Sequence, residues 1–138
     1  MKYQKGRSLV RALAAADAFR LECGSDALLR SHFVYAVVSE PRALMSFICI
    51  KLGLDASTVR NGVMSGKYRS FPYTTADEEK AAARFLSDNP TQLLRDTHVF
   101  LELCLESDFV TFLFAIGIDP NSFATECYGL SGRSRPTK

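Results

Sequence analysis

Apolar residues recur along this chain at helical spacing. Residues 7 to 22, RSLVRALAAADAFRLE, place Leu9, Leu13, Ala16 and Arg20 at that spacing, with alanines that favour a helix and allow close packing. Gly24 can end this helix, since glycine tolerates the left-handed conformation past a helix C-terminus. A second, short helix is predicted from about Ser31 to Glu40, where Pro41 blocks continuation. Residues 42 to 52, RALMSFICIKL, are apolar on nearly every side, the pattern of a helix surrounded by others. A strand over FICI is the weaker alternative, because nothing alternates there. Gly53 stops this third helix, and Asp55 can cap a fourth, ASTVRNGVM, by accepting from its free first-turn amides.

Residues 65 to 73, SGKYRSFPY, are rich in Gly, Ser and Pro, lack apolar periodicity and read as a linker. A second set of helices follows. TTADEEKAAARFL opens it, with Thr75 and Glu78 spaced as a capping box and acids near the positive end of the helix dipole. Asp96 can cap the helix that carries His98, and SDFVTFLFAIGI repeats the apolar third helix. Asp119 followed by Pro120 starts the last helix, PNSFATECY, since proline is best tolerated at the first helical position. The tail SGRSRPTK is predicted to be disordered.

The two sets are copies of one module. LLRSHFVYAVVSEPRALMSFICIKLGLD, residues 28 to 55, returns in degraded form as LLRDTHVFLELCLESDFVTFLFAIGID at 93 to 119. The only two histidines, His32 and His98, fall 66 residues apart, and the same offset pairs Leu28 with Leu94, Glu40 with Glu106, Ala15 with Ala81, Ala16 with Ala82 and Phe19 with Phe85. LGLD, with Gly53 and Asp55, matches IGID, with Gly117 and Asp119, at an offset of 64, so the second copy carries a two-residue deletion. This period exceeds the roughly 20 to 50 residues of solenoid arrays and points to tandem duplication inside one compact domain. The expected architecture is all-α: two four-helix repeats, about 7–64 and 74–128, joined by the linker 65–73 and related by a pseudo-twofold axis around the two apolar third helices. Residues 1–130 then form a single domain, and 131–138 a tail or a linker.

At 138 residues and 47% hydrophobic, the chain can bury one core but not two conventional domains. No apolar run approaches the length of a membrane span, and MKYQKGRSLVR lacks a signal peptide's apolar stretch. A soluble, cytoplasmic monomer with no membrane partner is expected. Cys23, Cys49, Cys104 and Cys127 form no CxxC and lie mostly in apolar segments, which argues against disulfides or a zinc site. The net charge of +2 comes from the chain ends: residues 12 to 130 hold ten basic and 15 acidic residues, a net of −5. Residues 77 to 127 are more lopsided, with ten acids against Lys80, Arg84 and Arg95, a net of −7. A body of that sign repels phosphate backbones, so no nucleic-acid partner is expected.

With LLRSHFVYAVV then KLGLD in the first repeat, and LRDTHVFLELC then AIGID in the second, the chain resembles the double Clp-N domain, the N-terminal module of the Clp family of AAA+ unfoldases. The likeness covers about residues 7 to 127, including a linker that leads into PYT. It implies a non-catalytic module that binds proteins or peptides, recruiting substrates or adaptors to a Clp-type unfoldase or protease, either free-standing or as part of a longer chain. In that family a glutamate just before the motif histidine helps some members recognise arginine-modified substrates; here those positions are Ser31 and Thr97, so that activity is not carried over. The threonine two before the histidine is Arg30 in one repeat and Asp96 in the other.

His32 and His98 each sit one turn inside a helix start, with no cysteine or carboxylate at ligand spacing beyond what chance supplies, and read as structural hydrogen-bonding groups. No GxxxxGK[ST], GxSxG or HExxH is present, so no catalytic residue, metal or cofactor is assigned. The alternative is a small helical enzyme or an unrelated interaction protein reusing the scaffold, which would need a buried polar cluster the sequence does not show. If the repeats obey a twofold, the starts of the two His-bearing helices expose unpaired amides at equivalent surface positions, and Arg30, Ser31, Arg95, Asp96 and Thr97 are expected to cluster there as the partner site, with Glu102 nearby. The charge of the second repeat predicts a basic partner segment with apolar anchors meeting an uncovered part of Phe109 to Ile116.

Overall fold

The computed structural model describes residues 3–68, 70–89 and 91–131. The tail expected at 131–138 therefore lies, from residue 132 on, outside the described residues. Among the described residues eight helices follow in order: α1 (Arg7–Cys23), α2 (Arg30–Ser39), α3 (Leu44–Lys51), α4 (Ala56–Met64), α5 (Thr75–Phe85), α6 (Asp96–Leu103), α7 (Ser107–Ala115) and α8 (Pro120–Ser131). The molecule is all-α, four helices to a repeat, and among the described residues the only β pairing is two isolated bridges, Lys5 with Leu94 and Leu29 with Pro72.

Local chemistry accounts for most of the boundaries. Gly24 closes α1 at φ 71°, where a side chain would be strained, and its N–H reaches back to Arg20 and Leu21. Asp55 caps α4, its Oδ1 accepting from Thr58 N–H at 2.8 Å, and Asp119 Oδ1 accepts from Asn121 N–H at 3.0 Å at the start of α8. The capping box of α5 is shifted one residue from the expected Thr75 and Glu78. Thr74 is the N-cap and its N–H donates to Asp77 Oδ2 at 3.1 Å, which leaves Glu78 free for another task. Glu78 is buried and accepts from the hydroxyls of Tyr3 and Tyr73, both at 2.7 Å, so one carboxylate ties down the segments that enter α1 and α5. Burial, then the bond to Glu78, raises both tyrosine pKa values.

The repeats are laced together by these entry segments. Gly6 N–H donates to Leu94 O, and Leu94 N–H to Gln4 O, both at 2.8 Å, so the segment before α1 pairs with the approach to α6 in the other repeat. The end of the linker pairs instead with the approach to α2: Tyr73 N–H donates to Leu28 O at 2.8 Å and Arg30 N–H to Phe71 O at 2.9 Å. Each repeat thus lends its leading segment to its neighbour.

The hub is α2 with α6. On α2 only Tyr35 and Ser39 escape full burial, and Phe33, Val34 and Val37 of α2 join Val99, Phe100 and Leu103 of α6 in one continuous core with Phe109, Leu113 and Phe123. The expectation that both third helices are surrounded is corrected here. Met45, Ile48 and Cys49 of α3 face the core, but Leu44, Phe47 and Ile50 are exposed, Phe47 by 63% and Ile50 by 68%; Phe114 of α7 is 58% exposed. α3 packs on α2 of its own repeat and on α6 and α8 of the other, and α7 on α2 and α8, which leaves Phe47, Ile50 and Phe114 outward. No single helix among the described residues is long and apolar enough to cross a membrane; α2 with α3 reaches the length, but the two meet at 82°.

Candidate functional site

The starts of α2 and α6 are built alike. His32 is the third residue of α2, and its Nδ1 accepts from Leu29 N–H at 2.9 Å; His98 is the third residue of α6, and its Nδ1 accepts from Arg95 N–H at 3.0 Å. Each imidazole satisfies an amide that helix geometry leaves without an intrahelical partner. Both rings are nearly closed off from solvent, at 1% and 8% exposure, and pack on Phe19 and Phe85, themselves repeat-equivalent. Burial, then the Arg20 charge, lowers the pKa of His32.

The residues expected to form one exposed partner surface do not do so. Arg30, Ser31, Asp96 and Glu102 are buried. Arg30 Nη2 donates to Asp77 Oδ1 at 2.8 Å and Nη1 to Asp108 Oδ1 at 2.7 Å, with Glu106 at 3.7 Å, so a cation from repeat one is held by three acids of repeat two. Burial disfavours that charge, and the bonds to Asp77 and Asp108 outweigh it, leaving the Arg30 pKa raised. Ser31 N–H donates to Ser70 Oγ at 3.0 Å, beneath the linker. Asp96 does not cap its own helix, whose N-cap is Arg95; its Oδ2 accepts from Met45 N–H at 2.8 Å and caps α3 of the other repeat. Glu102 accepts from Arg84 Nε at 2.6 Å.

Arg95 and Thr97 lie elsewhere, on the wall of an open cavity of about 630 Å³ between the start of α3 and the start of α6. Leu44, Phe47 and Ile48 form one side, Leu101 and His98 the other, and Phe85 and Cys127 also line it. Arg42, Gln92, Arg95 and Thr97 supply the polar groups, with no carboxylate among the lining residues. This face does not display the acids on which the expectation of a basic partner rested. The acids of repeat two are largely committed to internal contacts, Asp77, Glu106 and Asp108 to Arg30, Glu78 to two tyrosines, Asp96 to an amide and Glu102 to Arg84. The regional charge of −7 is therefore not presented at the opening.

The equivalent place in repeat one is filled. There the extended segment Ser70–Phe71 lies over the start of α2: Phe71 O takes the amide of Arg30, Ser70 Oγ takes that of Ser31, and Phe71 N–H donates to Asp108 Oδ2 at 2.8 Å. The matching amides of Asp96 and Thr97 in repeat two have no acceptor among the described residues. Sequence reasoning missed the cavity because it treated RALMSFICIKL as core; the signal was the run of large apolar residues at 44, 47 and 50, too many for one buried stripe.

No thiol is primed for chemistry. Burial pushes Cys104 and Cys127 up to about 12 and Cys49 higher still. Among the described residues, no three His, Cys, Asp or Glu side chains are grouped so as to hold a metal ion.

The fold and its paired helix starts define a tandem Clp-N-like repeat domain. The N-terminal domain of the caseinolytic protease associated chaperone ClpD from Arabidopsis thaliana superposes with a TM-score of 0.75 at 16% identity, over 93% of this chain and 97% of that one. The Hsp104 N-terminal domain from Candida albicans gives a TM-score of 0.71 at 14% identity, over 97% of this chain and 95% of that one. No family model matches the sequence, and no curated protein matches it. The chain has the fold of these N-terminal domains.

Proposed function

We propose that this chain is a non-catalytic protein-binding module that holds segments of substrate or adaptor proteins for a Clp-type unfoldase or protease. The observation that carries this reading is the open cavity between α3 and α6, where Leu44 and Phe47 stand at the surface beside the half-buried Leu101. Large apolar side chains grouped at an opening, with polar groups at its edge, are the usual marks of a recognition site. The domain of similar fold in ClpD belongs to a chaperone associated with a caseinolytic protease, and partnership with such a machine is carried over from that likeness.

The test uses the full chain, immobilised, and a reduced, carboxymethylated model protein that cannot refold. The chain captures the unfolded protein but not its folded, disulfide-intact form, and Phe47→Ser abolishes most of the capture. Equal capture by wild type and by Phe47→Ser with Leu44→Ser, or none by either, would remove the reading.

A further inference from the structure

We infer that the α3–α6 cavity selects an extended partner segment that pairs an aromatic or aliphatic anchor with a carboxylate; this deepens the module reading above and rests on it. Two observations on the same face converge. The first is charge. Arg95 forms no ion pair among the described residues and is exposed, Arg42 is shared with Glu40 at 2.7 Å, and no acid lines the opening. An arginine fork matches a carboxylate in two parallel hydrogen bonds, and a cationic partner would meet like charge at the Arg95 edge. Asp96, the nearest acid in sequence, is turned inward on Met45 N–H and is fully buried.

The second observation is what the chain itself places at the pseudo-equivalent position. At the start of α2 the occupant is extended, carries an aromatic residue, Phe71, and is held through the first two helix amides. Its Phe71 ring lies 5.8 Å from the guanidinium of Arg30. On the α6 side the half-buried Thr97 amide has no acceptor among the described residues, Asp96 being fully enclosed, Arg95 stands at the edge, and there is room for an anchor between Phe47 and Leu101. The basic sequence SGRSRPTK at 131–138 has the wrong charge to be the occupant.

Fluorescence anisotropy with three labelled eight-residue peptides decides this. One holds a phenylalanine flanked by glutamates, one the same phenylalanine flanked by lysines, and one the glutamates around a serine. Wild type binds the first at least about fivefold more tightly than either other, a difference that narrows with added salt. Arg95→Glu reverses the preference between the glutamate and lysine peptides, Phe47→Ser weakens both, and Lys67→Glu, on the exposed linker, changes neither. Equal or tighter binding of the lysine peptide, with Phe47→Ser still harmful, overturns the charge selection and leaves the module reading standing. Absence of binding to any peptide overturns both. Concentration-dependent self-association that Phe47→Ser abolishes would make a second copy the occupant and overturn the inference.

Discussion

Arg30 and Asp96 occupy the same position of the two repeats, 66 residues apart, and each reaches across to the first turn of the other repeat's third helix. Asp96 does so directly, as a carboxylate on the Met45 amide; Arg30, having the opposite sign, needs Asp108 as an intermediary. The duplication has kept the contact and divided its chemistry. Removing Arg30 leaves Asp77 and Asp108 buried beside each other without a counter-ion, so Arg30→Met should cost about 3–5 kcal/mol. Asp96→Ala removes a single cap and should cost about 1–2 kcal/mol. Urea denaturation of both variants measures this, and an Arg30→Met midpoint no lower than that of Asp96→Ala would contradict the division.

His32 gives the fold a pH dependence of definite sign. Its pKa is lowered in the folded state by burial and then by Arg20, so the unfolded chain takes up the proton first as pH falls below 6.5. Stability is full above that value and is lost as pH drops toward the folded pKa. Protonation of Nδ1 also removes the acceptor for Leu29 N–H. Between about pH 7.5 and 5.5 the wild-type urea midpoint should fall further than that of His32→Gln; parallel curves would contradict this.

Cys49 and Cys127 should be inert in the native protein. Both are buried, and burial raises both thiols, Cys127 to about 12. A disulfide reagent at mildly alkaline pH should modify these two only on unfolding. Rapid modification of either in the absence of denaturant would show that α3 and α8 do not pack as described.

Phe47 and Phe100 separate surface from core. Phe47→Ser should alter stability by no more than about 0.5 kcal/mol, since its ring is 63% exposed. Phe100→Ala, fully buried against Phe109 and Phe123, should cost about 3–5 kcal/mol. Comparable losses would restore the view of α3 as a wholly enclosed helix.

Periodicity and punctuation made the eight helices and their duplication legible, because helix ends are local: Gly24, Asp55 and Pro120 act within one turn of themselves. What was not legible is the partner choice of polar side chains across the repeat boundary. Asp96 has the chemistry of an N-cap for α6, yet its carboxylate serves α3, 51 residues away in sequence. Arg30 has the look of a surface residue until Asp77, Glu106 and Asp108 enclose it. Net charge did not reveal which acids are displayed, since those hydrogen-bonded inside the fold count in the sum without standing at the cavity. The open side of α3 was hidden by composition, because an exposed Phe47 and a buried Phe109 read identically in a string of letters.

A partner segment is proposed to occupy the cavity between α3 and α6. Amide ¹⁵N–¹H correlation spectra of the full chain, recorded while an aromatic, glutamate-flanked peptide is added, test it most directly. The predicted result is a saturable set of shifts confined to Ala43 through Ile48, Gln92 and Asp96 through Leu101. Shifts centred instead on Arg30, Ser31 and the linker, or none at peptide concentrations that saturate capture, would contradict it.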